Sequence, residues 1–243
     1  MDTLQKKILC PSILNLSTDN MREEIEKLDA TDMDIYHVDI MDGTFVPNFG
    51  MSVRELEMIR RITDAGHHKL VDCHMMVMNP HRYIKRIAEA GADIIDIGAE
   101  STRPGAKRVS EADEKARVLG AVDALIPEGA VLSIDTTRAS VALAALEHGA
   151  QIINDVSGGQ LDRELPHVVA DHSDCLYIVQ HWRGWLAGAA GNVPDADTSR
   201  YEHGVVNDVY DELMRQVDAV LEAGVQAEQV IIDPGLGFSK PGV

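Results

Sequence analysis

Four polar residues on two predicted strands have the types and the spacing of a metal site. His37 and Asp39 are two residues apart in "YHVDIMDG", and Asp72 and His74 have the same relation in "VDCHMMV". Because successive side chains of a strand point to opposite faces, each pair lies on one face. Two imidazoles and a carboxylate suit Zn²⁺ or a similar divalent cation. The alternative is that His37 and His74 are core histidines bonded to the backbone, and the spacing leaves both interpretations open.

A second group of polar residues lies in the rest of the chain, within or at the end of short apolar runs. Asp135, Asn154 and Asp233 occur in "VLSIDT", "QIINDVS" and "QVIIDPG", and Asp96 occurs in "DIIDIG". Carboxylates accept paired N–H donors and an asparagine amide both donates and accepts, so these side chains could contact a polar ligand. The alternative is that these side chains cap the turn or helix that follows each strand.

Two polar loops suggest mobile elements over a site. "STRPGAKRV" follows the run that contains Asp96, and its Arg103 is followed at once by Pro104 and Gly105, as in a ligand clamp. The stretch 181–204 is long and rich in Gly, Ala and Asp, which predicts a lid. His181 and Arg183 could grip an anion there, or could be ordinary loop residues, and neither is assigned to catalysis.

Short β-branched runs alternate with longer amphipathic stretches along the chain, which predicts parallel strands joined by crossover helices. The strand candidates are 7–14, 35–41, 69–77, 92–98, 130–136, 151–157, 175–181 and 229–235. Eight strands favour an α/β fold of the (β/α)8 TIM barrel type, a single closed parallel barrel that uses residues 1–243 as one domain. No helical pattern follows the last candidate, so the barrel should lack its last helix. The bare last strand predicts a homo-oligomer.

The composition narrows the possible partners and the cellular location. The formal charge of −18 at pH 7 opposes the approach of nucleic acid or of an anionic membrane. The sequence shows no apolar run of about 18 residues for a membrane span, and its first residues are too short in apolar content for a signal peptide. Cys10, Cys73 and Cys175 are far apart in apolar runs, which predicts reduced core thiols. We therefore expect a cytoplasmic protein that binds small molecules.

The motifs "PSIL", "YHVDIMDGTFVPN" and "VDCHMMVMNP" resemble the ribulose-phosphate 3-epimerase family, including its relatives that act on allulose phosphate, over about residues 7–91. The resemblance implies a site in which a divalent metal is held by His37, Asp39 and His74 and the substrate contacts Ser12, Met41 and Met76. It also implies that Asp39 moves a proton at a carbon next to a carbonyl while the metal polarises the oxygen. The family's second acid/base aspartate and its glycine-rich phosphate loops have no match here, and Gln180 stands about where that aspartate should be.

Residues 92–243 resemble a different barrel family, dihydropteroate synthase. The resemblance rests on the ordered motifs "DIIDIGAESTRPGA", "VLSIDTTRASVALAAL", "GAQIINDVSGG", "YIVQHWRG" and "VIIDPGLGFSK". It implies a pterin pocket lined by Asp96, Asp135, Asn154 and Asp233. It also implies that Thr102 and Arg103 lie in a mobile loop that places p-aminobenzoate for attack on a pterin carbon as pyrophosphate leaves, and we count Arg103, with Asp39, among the catalytic residues.

The synthase pattern is incomplete. Its first-strand "NxTPDSF" motif and its later "SRK" and "RxHD" motifs are absent, and Ala99 replaces a usual glycine. What remains should recognise a pterin ring but lacks the groups that hold and expel pyrophosphate.

We interpret the chain as a chimera of 1–91 and 92–243 joined near "EAGADII", with Asp233 or Asp96 as a fourth ligand of the metal. Three functions stay open. The first is an impaired, Mg²⁺-dependent transferase of folate biosynthesis that joins p-aminobenzoate to hydroxymethyl-dihydropterin pyrophosphate. The second is a metal-dependent sugar-phosphate epimerase, and the third is a noncatalytic barrel that binds pterin or metal.

Overall fold

The computed structural model of the protein describes residues 9–14, 16–100, 108–183 and 200–235. Helices and strands alternate along these residues. The strands are β1 (Ile35–Met41), β2 (Leu70–Met76), β3 (Ile94–Gly98), β4 (Val131–Asp135), β5 (Ile152–Asp155), β6 (Leu176–Gln180) and β7 (Val230–Asp233). The helices are α1 (Met21–Asp29), α2 (Val53–Ala65), α3 (Ile84–Glu89), α4 (Glu111–Leu125), α5 (Ala139–Glu147), α6 (Leu165–Ala170) and α7 (Val205–Glu222). None of the helices in these ranges is both long and apolar enough to cross a membrane.

The chain divides into two compact units. The first unit comprises Met1–Ile97 and Pro127–Val131, and the second comprises Gly98–Ile126 and Leu132–Val243. In the first unit β1, β2 and β3 pair in parallel in chain order, and in the second unit β4, β5, β6 and β7 do the same. Each parallel pair is joined by a crossover that contains a helix, as the alternating pattern predicts. The predicted parallel α/β class is therefore confirmed.

The predicted closed barrel of eight strands is not observed, because the described residues form seven strands in the open order β1 to β7. The candidate at 7–14 forms a single bridge, between Ser12 and His37, instead of a strand. Its other bonds to β1 run from the His37 N–H to the Pro11 carbonyl at 3.1 Å and from the Ile13 N–H to the His37 carbonyl at 3.2 Å. Pro11 has no N–H to donate to the Ile35 carbonyl, so the ladder stops there.

The prediction of three core thiols is correct for Cys73 and Cys175 and wrong for Cys10. Cys73 lies inside β2 and Cys175 directly before β6, and both are buried. Cys10 lies on the edge segment that Pro11 interrupts, and it is exposed. None of these three cysteines forms a disulfide.

In the first unit, one face of the sheet packs against helices. Tyr36 and Val38 of β1 are fully buried with Ile25 of α1 and with Leu56 and Ile59 of α2, since they alternate with the polar residues of the same strand. Helix α2 begins with a capping box, in which the Glu55 carboxylate accepts the Ser52 backbone N–H at 2.8 Å.

In the second unit, the corresponding face carries a buried polar anchor. The Asp155 carboxylate accepts hydrogen bonds from the Ser157 N–H (2.8 Å), the Ser157 hydroxyl (2.7 Å), the Gly159 N–H (2.7 Å) and the Tyr177 hydroxyl (2.8 Å). Asp155 and Tyr177 are fully buried. The four donors satisfy a carboxyl group that would otherwise be costly to bury, and they fix the turn after β5 to β6.

This anchor predicts a measurable loss of stability for Tyr177→Phe. Removing the hydroxyl takes one buried donor from Asp155 and should lower the free energy of unfolding by about 1–2 kcal/mol. Urea denaturation measures the change. Tyr210→Phe is the matched control, because Tyr210 is 62% exposed on α7 and should behave like the wild type. Equal stabilities of the two variants would contradict the role of the anchor.

Candidate functional site

The register of the first sheet places the sequence-predicted residues on one face. His37 pairs with Asp72, Asp39 with His74, and Met41 with Met76 across β1 and β2. On the other side of β2, His74 pairs with Asp96 of β3. Paired residues of neighbouring strands point to the same face, so the row expected from the two-residue spacing is present.

His37, Asp39 and His74 bring three possible ligand atoms within 4.8 Å of one another. One oxygen of Asp39, Oδ1, lies 3.5 Å from His37 Nε2 and 3.5 Å from His74 Nδ1. The two imidazole centroids are 5.5 Å apart and the rings are tilted by 56°. Two nitrogens and one carboxylate oxygen that converge in this way fit a divalent cation of the zinc type.

Hydrogen bonds orient the groups of this cluster. The Ser12 hydroxyl donates to Asp39 Oδ2 at 2.8 Å, which leaves Oδ1 directed at the imidazoles. His37 Nδ1 lies 2.6 Å from Asp72 Oδ2. A carboxylate behind a ligating histidine fixes the orientation of the ring and its tautomer. The spacing "VDCH" places Asp72 on the face of the cluster, and the structure adds this orienting contact with His37.

The electrostatics of the cluster are dominated by burial and by close opposite charges. Burial disfavours the charged form of His74, but the hydrogen bond to Asp39 and the charge of Asp96 outweigh it and raise the pKa to about 9. Burial also opposes protonation of His37, yet Asp72 and Asp39 raise its pKa. Burial alone would raise the pKa of Asp39, but the two imidazoles lower it. In the absence of a cation these histidines therefore retain protons, which a bound metal would displace.

Three further predicted residues lie together in the second unit. Asp135 pairs with Asn154 across β4 and β5. Asn154 pairs with Ile178 of β6, which pairs with Ile231 of β7, two residues before Asp233. Even spacing keeps all these positions on one face, so Asp135, Asn154 and Asp233 share it at the carboxyl ends of their strands. Asp96 belongs to the first unit, and Thr102 and Arg103 lie outside the described residues.

A hydrogen bond and a close backbone contact surround the carboxylates of Asp233 and Asp135. Asp233 Oδ1 accepts the Gly235 N–H at 2.7 Å and so fixes the turn after β7. A Cβ atom at Gly98 would lie 3.2 Å from Asp135 Oδ2, so the backbone at Gly98, which belongs to the second unit, approaches that carboxylate closely. Asp135 is buried, whereas Asn154 and Asp233 are half-buried.

Sequence reasoning missed a charged cluster at the stem of the loop that contains Arg103. The Glu100 carboxylate accepts bonds from Arg108 Nε (2.7 Å), the Val109 N–H (2.8 Å) and Arg138 Nη2 (3.2 Å). Arg138 also pairs with Glu114, which is buried at 1% exposure. The cluster joins residue 100 to residues 108 and 109. A charged residue in an otherwise apolar helix face, as Glu114 is, was the available signal.

His181 and Arg183 are engaged within the protein. The Glu212 carboxylate of α7 bonds His181 Nε2 at 2.9 Å and Arg183 Nε at 2.8 Å. The Arg183 guanidinium also lies 3.8 Å over the Tyr201 ring. These contacts support the structural interpretation of both residues, and the predicted lid between them and residue 200 lies outside the described residues.

Comparisons with known proteins give two family matches. The model of the pterin binding enzyme family matches residues 78–242, and that of the ribulose-phosphate 3 epimerase family matches residues 8–146. Each match covers more than half of the 243 residues, and the two overlap over 78–146. The overlap includes β3, where the two sequence patterns meet.

The curated relatives that match are dihydropteroate synthases. The enzyme of Mycobacterium leprae (strain TN) is 43% identical over 152 residues, which cover 63% of this chain and 51% of the relative. The enzyme of Bacillus subtilis (strain 168) is 38% identical over 179 residues, which cover 73% of this chain and 55% of the relative. The chain thus spans about half the length of the curated relatives it matches.

Solved structures of dihydropteroate synthases also match this chain. The Burkholderia cenocepacia dihydropteroate synthase complexed with 7,8-dihydropteroate is 38% identical, with a TM-score of 0.59 over 70% of this chain and 58% of that one. The Xanthomonas albilineans enzyme with 4-aminobenzoic acid is 29% identical, with a TM-score of 0.60 over 85% of this chain and 62% of that one. The chain therefore belongs to the pterin binding enzyme family through residues 78–242 and to the ribulose-phosphate 3-epimerase family through residues 8–146.

Proposed function

We propose that this chain is a dihydropteroate synthase-like, pterin-binding protein of folate biosynthesis. The carrying observation is the shared face of Asp135, Asn154 and Asp233 at the ends of three strands of one parallel sheet. Two carboxylates and an amide can match the ring N–H and amino donors of a pterin edge. The related enzymes of Burkholderia cenocepacia and Xanthomonas albilineans were solved with 7,8-dihydropteroate and with 4-aminobenzoic acid. We assign the pterin ring to these three residues; a part for Asp96 at the pterin, and for Thr102 and Arg103 at p-aminobenzoate, stays a prediction from the sequence.

The transfer reaction should be impaired in this chain. The attack of the amine on the pterin carbon requires groups that stabilise the departing pyrophosphate, and the first-strand "NxTPDSF" motif, which supplies one of them, has no match within the 243 residues. Mg²⁺ would help to neutralise the negative charge of the departing pyrophosphate. We interpret the chain as a chimera of an epimerase-type and a synthase-type segment, in line with the two family matches. The organisation as one barrel-type domain, the homo-oligomer and the cytoplasmic location stay predictions.

A second candidate function rests on the histidine cluster of the first unit. We assign a Zn²⁺-type cation to His37, Asp39 and His74, because their ligand atoms converge within 4.8 Å. When bound, such a cation would polarise a carbonyl oxygen of a sugar phosphate. Asp39 is the base in this proposal, and the Ser12 hydroxyl that donates to its Oδ2 holds it in place. Met41 and Met76, which pair across β1 and β2, would form the apolar wall beside the reacting carbons. Asp96, which pairs with His74 across β2 and β3, is the proposed fourth ligand.

Epimerisation and simple proton exchange differ in the number of acid/base groups that they require. An epimerisation needs a proton to leave one face of the carbon and another to arrive on the opposite face, which requires two acid/base groups. The sequence provides Asp39 but has Gln180 about where the second is expected. Asp39 alone can remove a proton and return one to the same face. A third possibility, a noncatalytic protein, is an outcome of the experiments below.

Pterin binding is measured by calorimetric titration with 6-hydroxymethylpterin. We expect binding by the wild type and a loss of affinity of about 10-fold to 100-fold in Asn154→Ala and in Asp233→Ala, because each removes hydrogen bonds to a buried ring edge. Asn207→Ala, at an exposed position of α7, is the control and should bind like the wild type. Absence of binding by the wild type would contradict the pterin pocket. Addition of p-aminobenzoate and the pterin pyrophosphate with Mg²⁺ should give dihydropteroate slowly or not at all.

Metal binding is tested with Zn²⁺ and the metal-free protein. His74→Ala removes one of three converging ligands and should weaken binding by about 100-fold or more, since even orienting residues of such sites contribute 10-fold to 100-fold. His148→Ala is the matched control, because His148 is exposed at the end of α5. Equal affinities of both variants would exclude His74 as a ligand.

Proton transfer by Asp39 is followed by NMR in D₂O with ribulose 5-phosphate and Zn²⁺. We expect deuterium at carbon 3 of recovered substrate without formation of the epimer, because a single base returns the proton to the face from which it came. Asp39→Asn should abolish the exchange, and the exposed Asp32→Asn should not change it. Formation of the epimer would show that a second acid/base group is present. Absence of exchange in the wild type, together with absence of pterin product, would support the noncatalytic alternative.

A further inference from the structure

The His37 imidazole also belongs to a second group of possible metal ligands. The ligand atoms of Cys10, His37 and Asp72 also lie within 4.8 Å of one another. His37 presents Nδ1 to Asp72 Oδ2 at 2.6 Å and Nε2 to Asp39 Oδ1 at 3.5 Å. The ring therefore stands between two sets of donors, and Cys10 and Asp72 are not among the metal ligands assigned above.

Main-chain pairing holds Cys10 in this place. On one side of it, the Leu9 carbonyl accepts the Ile35 N–H at 3.1 Å, and on the other side the Pro11 carbonyl accepts the His37 N–H at 3.1 Å. The Leu9 N–H also donates to Asp34 Oδ2 at 3.0 Å. A residue flanked by paired neighbours has little freedom to move, so the exposed thiol is presented to His37 by the backbone.

The Asp72 carboxylate is only partly satisfied by the described residues. Its Oδ2 contacts His37, but its Oδ1 is buried and has no hydrogen-bond donor within the part of the chain that the structure describes. The residue is 8% exposed, so water cannot freely supply the missing bond. A buried carboxylate oxygen without a partner is costly, and a cation bound there would remove the cost.

We propose that Cys10, His37 and Asp72 form a second cation site, which takes a thiophilic divalent ion such as Zn²⁺ or Co²⁺ and competes with the His37–Asp39–His74 site for the imidazole of His37. Sulfur, nitrogen and oxygen donors favour such ions over Mg²⁺, which selects oxygen ligands. The exposed thiol gives the ion a path from solvent. The proposal does not depend on the pterin or epimerase functions.

The competition follows from the protons on His37. When a cation binds, the His37 ring gives up one proton, and the neutral imidazole that results has a lone pair on one nitrogen and a proton on the other. With the proton on Nδ1 and donated to Asp72, the Nε2 lone pair serves the Asp39 and His74 site. In the thiolate site Nδ1 binds the ion, the ring proton moves to Nε2 and is donated to Asp39, and the Cys10 thiol releases its proton to water. One ion at a time can therefore use the ring, and each binding at the second site releases the thiol proton.

The test is a titration of the reduced, metal-free full chain with Co²⁺, whose bond to a thiolate gives a charge-transfer band in the near ultraviolet. We expect this band in the wild type, with saturation at one ion per chain. Cys10→Ser should abolish the band while the visible Co²⁺ absorption of the histidine cluster remains. Cys175→Ser is the matched control, since Cys175 is buried and outside both groups, and it should keep the band. In His74→Ala the competing site is lost, and the band should develop at a lower Co²⁺ concentration than in the wild type.

Three results would overturn the proposal. They are visible Co²⁺ absorption without a charge-transfer band in the wild type, a band that survives Cys10→Ser, and a stoichiometry of two ions per chain with the band present. Cys10→Ser replaces an exposed side chain by one of nearly equal size, and an unchanged thermal denaturation profile would show that its fold is intact. Asp72→Asn provides a second test. It keeps the shape of the residue but removes the charge, and it should weaken Co²⁺ binding at the thiolate site by about 10-fold or more.

Discussion

The parallel pairing of β1 with β2 determines every contact of the histidine cluster. A shift of the register by one residue would carry His74 to the opposite face and leave Asp39 facing an apolar side chain. The register is held by the alternating apolar residues of the same strands, such as Tyr36 and Cys73, which are buried on the other side of the sheet. Packing of one face thus determines the chemistry of the other, and both proposed metal sites depend on it.

The same kind of pairing joins the two sequence patterns. β2 carries the epimerase-type motif and β3 the first synthase-type motif, yet they pair in register within the first unit, with His74 opposite Asp96. A parallel strand needs a neighbour with complementary apolar residues and a helix to cover them, and these demands are alike in both families. This similarity gives a physical reason why segments of two families can continue one sheet, and the overlap of the two family matches includes this strand.

Each unit contains a buried aspartate, Asp155 or Asp72, and the two carboxylates differ in the number of hydrogen bonds that they accept. Asp155 in the second unit has four donors from the protein itself, which suits an anchor. Asp72 in the first unit has one partner for one oxygen and none for the other among the described residues. A carboxylate that is satisfied by its own chain stabilises the fold, whereas one that is left incomplete favours a bound cation. The contrast separates a structural aspartate from a binding aspartate without reference to any relative.

By itself, the sequence determined the alternation of strands and helices, the faces on which His37, Asp39 and His74 lie, and the two family resemblances, because these depend on local periodicity and on short motifs. Tertiary structure decided what depends on neighbours distant in the chain. It showed that Pro11 interrupts the predicted first strand, that Cys10 is exposed beside His37, and that Asp72 orients that ring. Periodicity states which way a side chain points, but only the register of a partner strand states which atom it meets.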